Sequence, residues 1–278
     1  MQVPSYTYQN DIDEIISKRF VNGADFWATA DGAVAKGGPY STLEAGILLS
    51  DLGYDKRSPE LLGAANVIFG NIKKDGRIRS FSTGAIYPCQ TANAAKTLCK
   101  LGYADDDRLK NTYEYLLNIQ SPDGGWRCNA SKFGKGPETE SSNPGPTLTV
   151  LDIFRYTPIH KNDERLNRAV EFLLNHWVTR MPLGPCHYGI GTLFLQVEFP
   201  VIRYNILNYV YVLSFYEYTK KDTRFKDALD VLKSKLIEDS IVIENTNKAL
   251  KNMESCKVNQ KNEIATRYYK EIIKNIDE

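Results

Sequence analysis

The chain is short of the features that usually assign a function quickly. It has three histidines and five cysteines in 278 residues. The cysteines are irregularly spaced, so they do not read as a disulfide framework. No stretch approaches the roughly 18 apolar residues that a membrane-spanning helix requires. The start, "MQVPSYTYQNDIDEII", lacks a basic-then-apolar signal pattern. Neither charge is in excess, with 35 Lys+Arg against 34 Asp+Glu, so nucleic acid is not the expected partner. Strand signals are scarce; "SIVIE" is the best and it is short. The expectation is a soluble, cytoplasmic, reducing setting and an all-α chain long enough to bury a large core.

What the chain does have is repetition. "RLKNTYEYLLNIQ" begins at Arg108, "RLNRAVEFLLNHW" at Arg165 and "RFKDALDVLKSKL" at Arg224. Apolar residues recur at i, i+4, i+7 and i+8 in the first two: Leu109, Tyr113, Leu116, Leu117, then Leu166, Val170, Leu173, Leu174. Each segment is one face of an amphipathic helix, with an aspartate near its start as N-cap. A more apolar helix precedes each: Thr91–Tyr103, Thr147–Tyr156 and Tyr204–Tyr218, with Thr42–Tyr54 opening the series. These make four helix pairs from about residue 41 to 244. A leading helix near 10–20 and a trailing one near 245–275 bring the expectation to about five pairs. Residues 1–244 would form the main body, and 245–278 would close it or hang from it. Apolar helices inside and amphipathic ones outside imply two concentric layers. Spacings of 49 to 57 residues suit a closed ring better than an open solenoid.

The stretch "YLLNIQSPDGGWRC", Tyr115–Cys128, carries a resemblance. A helix ending in "YLLNIQ" followed by "SPDGGW" resembles the QW repeat of squalene and oxidosqualene cyclases. Protein prenyltransferase β subunits are similar in architecture, an (α/α) toroid with inner and outer helical rings. The resemblance implies that fold and an apolar central cavity, here with fewer than the family's usual six pairs. It assigns packing to Gln120, Asp123, Gly124, Gly125 and Trp126. Gln120 can bond orphan groups at helix ends, the glycines allow the reversal, and Trp126 covers the junction.

The family's chemical motifs are missing. No Asp-x-Asp-Asp tetrad is present; "ADDDR" at 104–108 and "DIDE" at 11–14 read as helix caps. Asp-Asp-x-x-Asp is absent as well. The zinc site of the prenyltransferases needs Asp, Cys and His, yet Tyr87, Trp126 and Gly184 stand two residues before Cys89, Cys128 and Cys186. A different zinc set is conceivable from topology. In an (α/α) barrel all outer-to-inner loops share one mouth, and Cys89, Cys128, Cys186 and His187 lie in three such loops. Thiolates and imidazole suit tetrahedral zinc; buried packing cysteines are the bland alternative. His187 is also the one general-base candidate. His176 reads as helix-end packing and His160 as exposed.

The aromatic stretch 186–218 supplies Phe194, Phe199, Tyr204, Tyr209, Tyr211 and Phe215 as cavity walls for an isoprenoid. Arg203, Tyr204 and Asn205, at an inner-helix N-terminus, are candidates for a diphosphate or other anion. The loop 129–147 is a candidate lid. Three functions follow: a prenyltransferase- or cyclase-like enzyme acting on an isoprenoid or other long apolar molecule, with zinc and a partner protein as expected options; a toroid that binds lipid or peptide without catalysis; or a glycoside-active barrel, for which the sequence offers no convincing pair of opposed carboxylates.

Overall fold

The computed structural model describes residues 6–128, 137–158 and 163–277. The lid candidate's residues 129–136, and His160, lie outside them. The chain folds as an all-α toroid. Its inner helices are α2 (Thr42–Asp51), α4 (Pro88–Leu98), α6 (Pro144–Phe154) and α8 (Ile206–Leu213). Between them run the outer helices α3 (Pro59–Gly70), α5 (Lys110–Asn118), α7 (Glu164–Thr179) and α9 (Thr223–Lys233). Helix α1 (Gln9–Ser17) precedes the series and α10 (Glu263–Asp277) follows it.

Composition explains the layering. Every described side chain of α6 except Thr149, and all of α8, is buried; α7 buries only the Leu166–Trp177 stripe. The inner helices pack in order, α2 on α4, α4 on α6 and α6 on α8. Asp163 and Asp222 cap the outer helices α7 and α9, and Asp106 caps the 3-10 turn that leads into α5, each accepting from the N–H two residues on and gripping the arginine there. Asp106 therefore serves as a cap, as its place in the sequence implies.

Both flanking helices seal the ring. α10 packs on α8, and its Arg267 donates to Asp51 O at the end of α2. Tyr268 donates to the Asp51 carboxylate, which also pairs with Lys100 at 2.6 Å. Asp11 of α1 accepts the N–H groups of Glu254 and Ser255 at 2.9 and 2.7 Å. Asp11 is thus a clamp between distant segments; the cap expected for "DIDE" is not its role. Two helices are shorter than the sequence suggests. The inner helix expected over Tyr204–Tyr218 covers only Ile206–Leu213, because Asn205 caps its start and Tyr216 turns away to donate to Leu151 O. The trailing helix starts at Glu263, since residues before it form turns and a Val242–Lys261 bridge. Among the described residues the one two-stranded sheet, Leu236–Ile237 with Ser240–Ile241, includes the start of "SIVIE".

The motif around Gln120 is a fastener. Gln120 Nε2 donates to Gly124 O and to Arg165 O, joining the end of α5 to the start of α7. Gly124 has φ of +92°, and a Cβ there would lie 2.5 Å from Arg168 O. Trp126 is 1% exposed, and its indole N–H donates to Leu116 O at 2.7 Å. Asp123 holds Ser142 through the backbone N–H and the hydroxyl. Trp27, which the sequence did not single out, repeats this arrangement on α1, donating to Ile15 O at 2.9 Å.

Candidate functional site

A cavity of about 840 Å³ opens where the inner helices begin. It runs inward between α2, α4 and α6 as far as Lys96 and Thr97 on the last turn of α4. The two sides differ. Leu43 and Ile47 of α2, with Phe81, Leu193, Phe194 and Ile202 from the loops, give an apolar wall. Helix α4 presents Cys89, Gln90, Asn93, Lys96 and Thr97. That spacing is one helical face, and here the face is polar. Sequence reasoning missed it because α4 looks small and apolar on its other sides.

Lys96 is 3% exposed and pairs with Asp152 at 2.9 Å. Arg155 holds the other Asp152 oxygen and lies over the rings of Tyr156, Tyr211 and Phe215. Burial pushes the Asp152 carboxyl up, but Lys96 and Arg155 pull it further down, so the net direction is down.

Nearer the mouth stand two carboxylates that the sequence reading did not pair. Glu44, in the first turn of α2, and Glu198, in the loop before α8, both line the cavity. Burial raises both carboxyls; Arg203 lowers them in part, and Glu198 adds to the rise at Glu44. Arg203 lies 3.5 Å from Glu198. The sequence offered no convincing carboxylate pair; the structure puts these two in one cavity lining. The two are 154 residues apart in sequence, and no local motif marks either.

The predicted residues divide. Phe194, Arg203, Tyr204 and His187 line the cavity, as does Cys89. Tyr204 is half-buried and its hydroxyl meets His176 Nδ1 at 2.8 Å, while His176 Nε2 lies 2.9 Å from Met181 O. His176 is thus helix-end packing, and burial lowers its pKa. His187 is exposed at the mouth in a left-handed turn, φ 51°. Tyr209 does not line the cavity: it is fully buried, stacks on Trp177 and donates to Leu173 O. Asn205 is an N-cap and holds Asn208 N–H at 3.0 Å. Phe199, Tyr211 and Phe215 likewise pack between elements outside the cavity lining.

The three cysteines do converge. The thiols of Cys89, Cys128 and Cys186 are near enough to influence one another electrostatically. Among the described residues no group of three or more His, Cys, Asp or Glu is arranged to hold a metal ion. Burial, reinforced by the neighbouring thiols, pushes the Cys89 thiol up to about 12. Cys99 and Cys256 are buried in the core. Among the described residues no helix is long and apolar enough to cross a membrane.

No family model matches the chain, and no curated protein matches it. Solved structures do. A variant of the type II terpene cyclase MstE from Scytonema, in complex with geranylgeranyl dihydroxybenzoate, aligns over 96% of this chain and 72% of its own, with TM-score 0.52 and 13% identity. A second MstE variant with the same substrate covers 96% and 73%, with TM-score 0.50 and 13% identity. Likeness at this identity speaks to architecture, and it agrees with the two helical layers: the chain has a terpene-cyclase-like fold, an (α/α) toroid.

Proposed function

We propose that this protein binds an isoprenoid or another long apolar small molecule in the central cavity, as a terpenoid-cyclase-like protein. The cavity carries the reading. Its size is that of a small-molecule site, and Phe81, Tyr87, Tyr188, Phe194 and Tyr204 contribute aromatic surface to it. MstE takes a geranylgeranyl compound, and this wall is suited to a similar chain. The polar face of α4 gives a polar end of the ligand somewhere to lie.

Glu44 is the group this reading assigns to proton donation. Alkene protonation needs a neutral carboxylic acid facing the ligand, and burial moves Glu44 in that direction. Glu198 and Arg203 tune it. Zinc enters no step.

The test uses farnesol, geranylgeraniol and geranylgeranyl diphosphate. Binding raises the melting temperature, and product or released diphosphate is followed by mass spectrometry. An Asn93→Trp variant, which fills the cavity from an exposed position, abolishes the shift. If none of the three binds, the reading fails. Binding without turnover, unchanged in Glu44→Gln, assigns the toroid to ligand carriage.

The Glu44 and Glu198 pair favours a second reading, acid–base cleavage of a polar substrate such as a glycoside. Release of reducing ends from oligosaccharides, lost in either Gln variant, would select it.

A further inference from the structure

The charged side chains that line the cavity are unevenly placed. At the mouth stand Glu44, Glu198 and Arg203, two carboxyl groups for one guanidinium. The inner end has Lys96. Lys96 lies about two turns of α4 inward of Cys89, a depth of roughly 10 Å. Behind it is a buried cluster with more positive than negative charge. Asp152 pairs with Lys96 at 2.9 Å and also with Arg155. One turn on, Lys100 pairs with Asp51 at 2.6 Å. Lys96, Lys100 and Arg155 thus share two carboxylates. Among the contacts described, Glu271 meets this cluster only at the Tyr211 hydroxyl, and it is not part of the cavity lining. Among the described residues Asp152 is the one acceptor for the three N–H groups of Lys96. Packing alone does not require this lysine. Arg155 already answers Asp152, and a further buried cation is costly unless something answers it in turn. That answer has to come through the cavity.

We propose that the ligand is an acid, one long apolar chain ending in a carboxylate, and that it enters head first so that the carboxylate pairs with Lys96. This rests on the reading that the cavity binds a long apolar molecule. The charge count selects the head group. The inner cluster lacks one negative charge, which a carboxylate supplies and a diphosphate exceeds. Lys96 keeps two N–H groups for the carboxylate oxygens, and the Asn93 amide stands one turn earlier on the same face as a further donor. The mouth is the poorer place for an anion. Arg203 there already faces Glu198 at 3.5 Å, and Glu44 adds a second carboxyl. From Lys96 the chain runs outward along the wall of Leu43, Ile47 and Phe194. Its far end comes to rest at the mouth beside Glu44, where the proposed proton donation needs an alkene.

Calorimetry on the full chain compares geranylgeranoic acid with its methyl ester, geranylgeraniol and geranylgeranyl diphosphate. The acid should bind at least about tenfold more tightly than each of the others, the worth of a hydrogen bond to a charged group. Lys96→Met should remove that preference by weakening the acid alone. Arg155 still pairs with Asp152 in this variant, so the buried carboxylate keeps a partner. The four ligands on the unaltered chain decide the head group even if the variant fails to fold. Equal affinity for acid, ester and alcohol overturns the inference and leaves cavity binding standing. Tighter binding of the diphosphate overturns it as well, as does a preference that Arg203→Gln abolishes and Lys96→Met keeps. No binding by any of the four overturns both this inference and the reading it rests on.

Discussion

Asp152→Asn is the substitution with the largest expected effect. Asp152 is 4% exposed and holds Lys96 on one oxygen and Arg155 on the other. Both cationic side chains are buried, and besides Asp152 Arg155 meets only the Tyr156 hydroxyl, at 2.6 Å, and aromatic faces among the contacts described. The amide keeps the shape and removes the charge, leaving two desolvated cations without a counter-ion. Removing one partner of a buried pair costs about 3–5 kcal/mol. That is about a fifth or more of a typical domain's stability of about 5–15 kcal/mol. Urea unfolding at neutral pH measures it. The pH dependence has a definite sign. The folded carboxyl lies below its ordinary value of about 3.9. Its contribution is complete above that value and is lost as pH falls towards the folded value. The variant should therefore show a flatter acid limb below about pH 4 than the unaltered chain. A loss under about 1 kcal/mol, or an unchanged acid limb, would mean that the pair is solvated or redundant.

Gly124→Ala and Gly84→Ala share nearly the same positive φ, +92° and +84°, but a Cβ at Gly84 meets nothing within 4 Å. Both should lose about 1–2 kcal/mol to the left-handed backbone, and Gly124→Ala should lose more because Arg168 O must move; equal losses by urea titration would contradict the fastener. Trp126→Phe leaves Leu116 O without its buried donor and should cost about 1–3 kcal/mol, with Trp27→Phe similar; thermal melts near that of the unaltered chain would show that water replaces the bond. Glu44→Gln should remove a pH dependence: with the folded carboxyl raised, the folded state holds the extra proton, so stability declines as pH climbs from the ordinary value to the raised one. Melting curves from pH 4 to 8 with identical slopes in both proteins would place Glu44 in open solvent.

The ring was legible because its signal is periodic. Arg108, Arg165 and Arg224 open three segments on one apolar template, and the aspartate before each does what local chemistry dictates. The apolar stretch Thr147–Phe154 could be placed inside because it has no polar face. The site was much less legible. Tyr209 and Phe194 look alike in sequence, but one faces Trp177 and the outer layer while the other also faces the cavity. A uniformly apolar helix gives no phase, so period alone cannot tell the two sides apart. Glu44 and Glu198 become a pair only through tertiary closure. The exception is Gln90, Asn93 and Thr97 on α4, whose spacing is a polar stripe in a buried helix. Such a stripe must face something other than the core, and it is a signal of the cavity that went unread.

The closure at Asp51 and Asp11 has a consequence for how the protein is made. The contacts that seal the ring span 217 residues between Tyr268 and Asp51, and 244 between Ser255 and Asp11. Helix pairs can form locally as they emerge from the ribosome, but the last joint waits for α10. Until then α2 and α8 keep apolar flanks open to water, and the loop to be closed is nearly as long as the chain. Closing this joint therefore depends on contacts of very long sequence separation, the kind that form slowly.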